Sequence, residues 1–271
     1  MSAYLPETEP MPGDDPRGAD LRTRCRAALG SWDERLDPVI ERDPDYAGAF
    51  VALAEEAAAG PLGTQAKTLV LLACDAAMTY RNRDSLPARI HGALDAGVPP
   101  EGVLEVLELV SVLGIHALNV GLSIALEEYA DEERPEPSPA LQARVRERFE
   151  RMRGYWDAGW QPVLAHLPGF LDRYIDFSAA PGRHGVLDAK TRELVLIAID
   201  AATTHLYAPG IRIHVRNARA HGATLGEIVQ VFELISLMGV ESCLLGVPLL
   251  NTATDARPPG GGGRPADRTV D

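Results

Sequence analysis

Four residues able to move protons, Glu193, His205, Tyr207 and His214, fall within 22 residues of one another. An imidazole titrates near neutral pH, with an ordinary pKa of about 6.5, and beside a carboxylate it acts as a proton shuttle. Helix–loop–helix geometry brings such positions to one mouth. The chemistry that suits them is acid–base catalysis, a proton taken from or delivered to a bound organic anion. Arg212 and Arg216, two positions to either side of His214, are candidates to hold the anion through a guanidinium fork.

Each residue also has a structural alternative. Glu193 can serve the helix dipole or pair with Lys190 or Arg192, and Tyr207 in its Pro/Gly loop can cover the core. Asp75 and Asp200, in the middle of very apolar segments, read as structural hydrogen-bonding groups, and Glu108 and Glu233 as structural or interfacial. Two histidines and Glu193 could ligate a metal, but no HxxxH or HxxE spacing accompanies them and no metal is expected.

The elements that position these residues occur twice. Trp32, Pro38 and Pro44 return 124 positions later as Trp156, Pro162 and Pro168. ACDAAMTY (Ala73 to Tyr80) returns 125 positions later as AIDAATTH (Ala198 to His205), and LELVSVLG (Leu107 to Gly114) as FELISLMG (Phe232 to Gly239). A unit of this length is too long for a solenoid repeat and reads as two fused copies of one small helical domain. The expected division is a disordered tail over 1–20, a first, degenerate copy over 21–130, a linker over 131–140, a second, site-bearing copy over 141–254 and a disordered tail over 255–271. In copy one Thr68 stands for Glu193, Arg89 for His214 and Tyr80 for His205, so that copy reads as scaffold. It could still lend Tyr80, Arg81, Arg83 or Arg89 to a shared site, with Arg89 as carboxylate clamp. His116 and Glu241 occupy matching places, and pseudo-symmetric packing would let them line one pocket. His91, His166, His184 and His221 read as surface residues.

Periodicity predicts an all-α fold. Each copy is expected to open with an amphipathic helix carrying its Trp, followed by a proline-punctuated stretch and long helices. Leu194, Ile197, Ala198 and Ala201 recur at i, i+3, i+4, i+7, one buried helix face. Asp188 suits the N-terminus of that helix, with Arg192 and Glu193 in its first turn. A second helix over Ile211 to Ala220 ends at Gly222, the counterpart of Gly97. Thr224 and Glu227 have capping-box spacing ahead of a third, very apolar helix.

Composition narrows the partners. With 39 acidic and 26 basic residues the formal charge is −13, which repels nucleic acid and anionic membrane surfaces. No apolar stretch reads as a bilayer span, and neither tail reads as a signal peptide or anchor. Cys25, Cys74 and Cys243 stand apart with no CxxC, which reads as reduced core thiols in a cytoplasmic protein.

The segment LDAKTRELVLIAIDAATTHLYAPGIRIHVRNARAHGATLGEIVQVFELI resembles the carboxymuconolactone decarboxylase family, which includes the alkylhydroperoxidase D-like proteins. The resemblance rests on KTREL, on His214 eight residues before Gly222, and on GAT followed by an acid and Ile228. Copy one matches more weakly through AKTLVLLACDAA and DAGVPPEGVLEVL. The family implies an all-α fold in trimers or hexamers, here a homotrimer of fused pairs. The peroxidase branch relies on a CxxC whose second Cys lies four residues before the motif His. Those places are Tyr207 and Gly210 here, and Asn82 and Ser85 in copy one, while counting forward from Glu193 puts His205 at the first Cys. Without a thiolate there is no peroxidase cycle. The implied function is therefore a cofactor-free, decarboxylase-type lyase on a small carboxylated or lactone metabolite. An isomerase, cyclase or hydrolase using the same residues, and a non-catalytic ligand-binding scaffold, remain as alternatives.

Overall fold

Prolines and capping side chains set where the helices of this chain begin. The computed structural model describes residues 16–256 apart from Arg81 and residues 133–136. The first half contains α1 (Pro16–Leu29), α2 (Asp37–Arg42), α3 (Pro44–Ala58), α4 (Thr64–Ala76), α5 (Leu86–Asp95), α6 (Pro100–Ser111) and α7 (Ile115–Glu128). The second contains α8 (Pro139–Arg153), α9 (Gln161–His166), α10 (Pro168–His184), α11 (Ala189–Ala201), α12 (Ala208–Ala220), α13 (Leu225–Ser236) and α14 (Glu241–Asp255). Short 3-10 turns precede α2 and α9 and join α6 to α7 and α13 to α14, so the same succession occurs twice. Among the described residues there is no strand, and the fold is all-α.

The expected caps are present. Asp188 accepts the Thr191 amide at 2.9 Å at the start of α11. Thr224 and Glu227 form a complete capping box on α13. Gly97 and Gly222 take φ of +83° and +86°, conformations that exclude most side chains. Other boundaries differ from expectation. Trp32 and Trp156 lie beyond the ends of α1 and α8, in the connections to the next turns. Helix α12 starts at Ala208, because Pro209 fits a first turn that needs no amide donor. Residues 16–20, expected in the tail, open α1, and α8 begins at Pro139 inside the expected linker; α14 runs on to Asp255. The tail expectations for 1–15 and 257–271, and the notion that Arg81 lends a side chain, lie outside the described residues.

The two halves interlock. Helices α4 and α11 pack on each other at small residues, with the Cys74 thiol 3.7 Å from the Ala198 carbonyl oxygen. Helix α7 leaves its own half to pack on α9, placing Leu118 and Leu122 against a cluster that includes Phe149, Leu164 and Ile175. Helix α14 makes the reciprocal move onto α2. Buried polar groups cross the same way. Gln230 of α13 accepts the Leu62 amide at 2.6 Å and donates to the Ala57 carbonyl at 3.0 Å. Its counterpart Glu105 of α6 accepts the Leu187 amide at 2.9 Å and the Arg192 guanidinium at 2.6 Å. Gly60 and Gly185 make room, since a Cβ would lie 2.5 Å from Gln230 and 2.0 Å from Glu105.

The continuous helical runs Pro100–Glu128 and Leu225–Asp255 are long and apolar enough, by length and composition, to cross a bilayer. That corrects the expectation that no such stretch exists. Their polar members, among them Glu105, His116, Gln230 and Glu241, break the apolar runs in the sequence; in the fold they face braces and clefts.

Replacing Glu105 by Ala leaves the Leu187 amide and the Arg192 guanidinium without their acceptor. Denaturant unfolding should show a loss of about 2–4 kcal/mol, whereas an exposed acid such as Glu108 replaced by Ala should change stability by less than about 0.5 kcal/mol.

Candidate active site

Helix α11 presents Glu193 and Asp200 seven residues apart, two turns along one face. His214 and Asn217 of α12 lie opposite. The His214 Nδ1 is 2.7 Å from Glu193 Oε2, and Asn217 donates to Glu193 Oε1 at 3.4 Å. Glu193 begins the second turn of α11 and binds His214, so it neither serves the first turn nor pairs with a neighbouring cation. The other imidazole nitrogen, Nε2, points toward Asp200 at 3.8 Å, too far for a hydrogen bond.

The turn after α11 aims the next two side chains. Leu206 takes φ of +48°, the only positive φ at a non-glycine among the described residues, and the Tyr207 amide returns to the Asp200 carbonyl at 2.8 Å. Holding a leucine in the left-handed region costs about 1–2 kcal/mol, and it sets Tyr207 in the cleft wall with His205 beside it. There they meet His116, delivered by α7 from the first half. His116 Nδ1 and His205 Nε2 are 2.7 Å apart, so one nitrogen donates to the other. The His116 ring stacks on Tyr207 with centroids 3.8 Å apart.

Burial dominates the electrostatics. It pushes His116 down to about 3, helped by His205 and His214, and lowers His205 in the same direction. Both rings are therefore neutral at pH 7. Burial also raises the Tyr207 phenol and pushes Asp200 up to about 7, against the opposing effect of His214. Asp200 is 1% exposed, and its Oδ2 has no hydrogen-bond partner among the described residues. Gly210 permits this, since a Cβ there would lie 1.9 Å from that oxygen. The cleft has walls that include Leu109, Phe149, Trp160, Tyr174 and Ile199, with Arg153 among them.

A second cleft in the first half is built from the counterpart positions, with different chemistry. Asp75 matches Asp200, but it is paired with Arg89 at 2.9 Å and takes the Ser85 hydroxyl at 2.8 Å. Glu241, brought by α14, matches His116 and is held by both Nη atoms of Arg35 at 3.0 Å and by Asn82 at 2.7 Å. Tyr80 lines the same cleft, its phenol raised by burial.

The structure thus brings Glu193, His205, Tyr207, His214 and His116 together and separates the rest. Arg212 and Arg216 are exposed and line neither cleft, because two residues along a helix is about 200° around it. Arg89, Tyr80 and Glu241 belong to the first-half cleft. His116 and Glu241 do not share a pocket, since α7 and α14 cross to opposite halves. Sequence reasoning read Asp200 as structural and did not single out Arg153, Asn119 or Tyr155, all of which line the second-half cleft. The missed signal was the exchange of Ser85 and Arg89 for Gly210 and His214 around one repeated aspartate.

The profile of the Carboxymuconolactone decarboxylase family matches residues 168–252, which hold Glu193, Asp200, His205, Tyr207 and His214. No curated protein sequence matches the chain. A crystal structure from Burkholderia xenovorans LB400, described provisionally as a gamma-carboxymuconolactone decarboxylase subunit, superposes with a TM-score of 0.81 at 33% identity. The match covers 90% of this chain and 99% of that one. On this sequence likeness and shared all-α architecture, the chain belongs to the carboxymuconolactone decarboxylase family, within the alkylhydroperoxidase D-like superfamily.

Proposed function

We propose that the chain is a decarboxylase-type lyase acting on a small carboxylated, unsaturated lactone or related acid. The observation that carries this reading is the Glu193–His214 pair, one imidazole nitrogen fixed by a carboxylate at 2.7 Å and the other facing the cleft. In this reading Arg153, which also takes the Ser178 hydroxyl as a partner, receives the substrate carboxylate. The apolar walls strip water from the bond to be broken. As that carbon–carbon bond cleaves, CO₂ leaves and the electron pair moves into the conjugated carbonyl, whose oxygen faces the Tyr207 hydroxyl and the His116–His205 pair. His214, acting as an imidazolium, then gives its Nε2 proton to carbon, and Glu193 holds the resulting neutral imidazole in register through its Nδ1–H until solvent restores the Nε2 proton. The proposed reaction draws on no organic cofactor.

We further infer that the chain assembles as a homo-oligomer, a trimer of such fused pairs, in the cytoplasm. Exposed apolar side chains recur at matching places in the two halves: Tyr46 and Leu53 with Phe170 and Phe177, and Val120 and Ile124 with Leu245 and Leu249. Such two-fold-related rows suit burial between subunits. Light scattering on the purified protein should give three times the chain mass.

Incubation with carboxylated butenolides and β-keto acids should release CO₂. His214→Ala should lower kcat by about 10²–10⁴-fold, and Glu193→Gln by a smaller factor. Consumption of substrate without CO₂ would favour an isomerase, cyclase or hydrolase with the same proton donor. Arg153→Ala should raise KM by about tenfold or more, whereas Arg212→Ala and Arg216→Ala should leave it unchanged; the reverse pattern would return the carboxylate clamp to α12.

A further inference from the structure

The inner end of the second-half cleft gathers donors that the proton transfer by His214 does not use. One ligand atom from each of His116, His205 and Asp200 lies within 4.8 Å of the other two, with His116 Nδ1 2.7 Å from His205 Nε2 and 3.7 Å from Asp200 Oδ1. They come from α7, from the turn after α11 and from α11 itself. The first-half cleft provides an internal control for what these positions require. There the buried aspartate is paired with the Arg89 guanidinium, and the acid matching His116 is gripped by the Arg35 guanidinium. In the second half the counterpart of Arg35 is Gly159, that of Arg89 is His214, and that of Ser85 is Gly210. Both built-in cations and the hydroxyl donor have been replaced, yet the aspartate is retained and 1% exposed; its Oδ1 faces His116 Nδ1 at 3.7 Å, and its Oδ2, which lacks a hydrogen-bond partner among the described residues, faces His214 Nε2 at 3.8 Å. A buried carboxyl in such a place either keeps its proton or takes a cation as its partner.

We infer that the second-half cleft binds a divalent first-row transition-metal ion through His116, His205 and Asp200, in the place that arginine side chains fill in the first half. Two imidazoles and one carboxylate suit zinc, cobalt(II) or ferrous iron better than calcium or magnesium, which prefer all-oxygen shells. Three protein ligands leave a coordination position open toward the cleft. Nitrogens bound to one zinc at about 2.0–2.1 Å each sit roughly 3.3 Å apart in a tetrahedron, so loading the site opens the 2.7 Å His116–His205 contact by about half an ångström. The turn that carries His205 can supply that movement, because Thr203, Thr204 and Leu206 are exposed. A metal here would polarise a carbonyl oxygen of the substrate, which deepens the proposed reaction, but the donor geometry stands without that reaction.

The test uses the full chain, stripped with chelator, dialysed, and titrated in separate experiments with Zn²⁺ by calorimetry and with Co²⁺ by visible absorption. The expected result is about one tight equivalent per chain, a cobalt ligand-field spectrum of low coordination number, and a rise in Tm with zinc. His205→Gln, His116→Gln and Asp200→Asn should each weaken uptake by about 100-fold, and Glu241→Gln in the first-half cleft should not. The conservative replacements keep the cavity filled, and a circular dichroism spectrum and melting curve of each stripped variant establish that it is folded. Uptake by the wild type no stronger than by His205→Gln, or a tight equivalent that survives in the Asp200→Asn, His205→Gln double variant, would overturn the site and assign the binding to exposed histidines such as His184 or His221. Metal uptake is read without substrate. An absence of CO₂ release alongside tight, variant-sensitive uptake would therefore count against the lyase reading and not against the metal site.

Discussion

Neither half of this chain closes its own core, because α7 and α14 each pack on the opposite half. The exchange determines everything at the cleft. His116 and Asn119 reach the second-half site only because α7 crosses to α9, and Glu241 reaches the first-half cleft only because α14 crosses to α2. The buried braces make the crossing specific. Gln230 satisfies a loop amide of the first half and Glu105 a loop amide of the second, each against a glycine that leaves no room for a side chain. A chain that paired its halves otherwise would bury these polar groups without partners, a penalty comparable to a large share of a domain's net stability.

The same succession of helices, met twice along the chain, presents two clefts in different chemical states. Both clefts place an aspartate on the central helix, an exchanged helix beside it and a side chain from the next helix opposite. In the first, arginines satisfy the acids and the polar groups are saturated. In the second, imidazoles and glycines replace them, leaving a buried carboxylate at about 7, two neutral histidines and a histidine held by Glu193. Electrostatic strain of this kind concentrates where chemistry is done, since groups pushed from their ordinary pKa values exchange protons or ligands near neutral pH. The contrast is what favours the second-half cleft as the candidate site, independently of any relative.

The sequence made the helices legible wherever capping residues and apolar periodicity agreed, as at Asp188, Thr224 and Gly222. It also placed Glu193 and His214 in one cluster, since consecutive helices joined by a short turn bring their facing sides together, although it did not single out their pairing. It did not expose Asp200, since an aspartate amid apolar residues looks the same whether an arginine reaches it or not. Nor could it place His116, whose partners lie 89 residues away on the far side of a helix exchange. Arg212 and Arg216 looked like an anion clamp by proximity in sequence, and the helical repeat turned them outward. Trp32 and Trp156 sit past the helices they were assigned to, where short 3-10 turns leave no periodic signal.

The central claim is that the reactive cleft is the second-half one, completed by His116 from the first half. Crystals grown with a saturated, unreactive carboxylated lactone test it most directly. The account predicts ligand density bounded by His214, Tyr207 and His116, with the carboxylate at Arg153. Density instead in the first-half cleft, against Arg89 and Arg35, would contradict it.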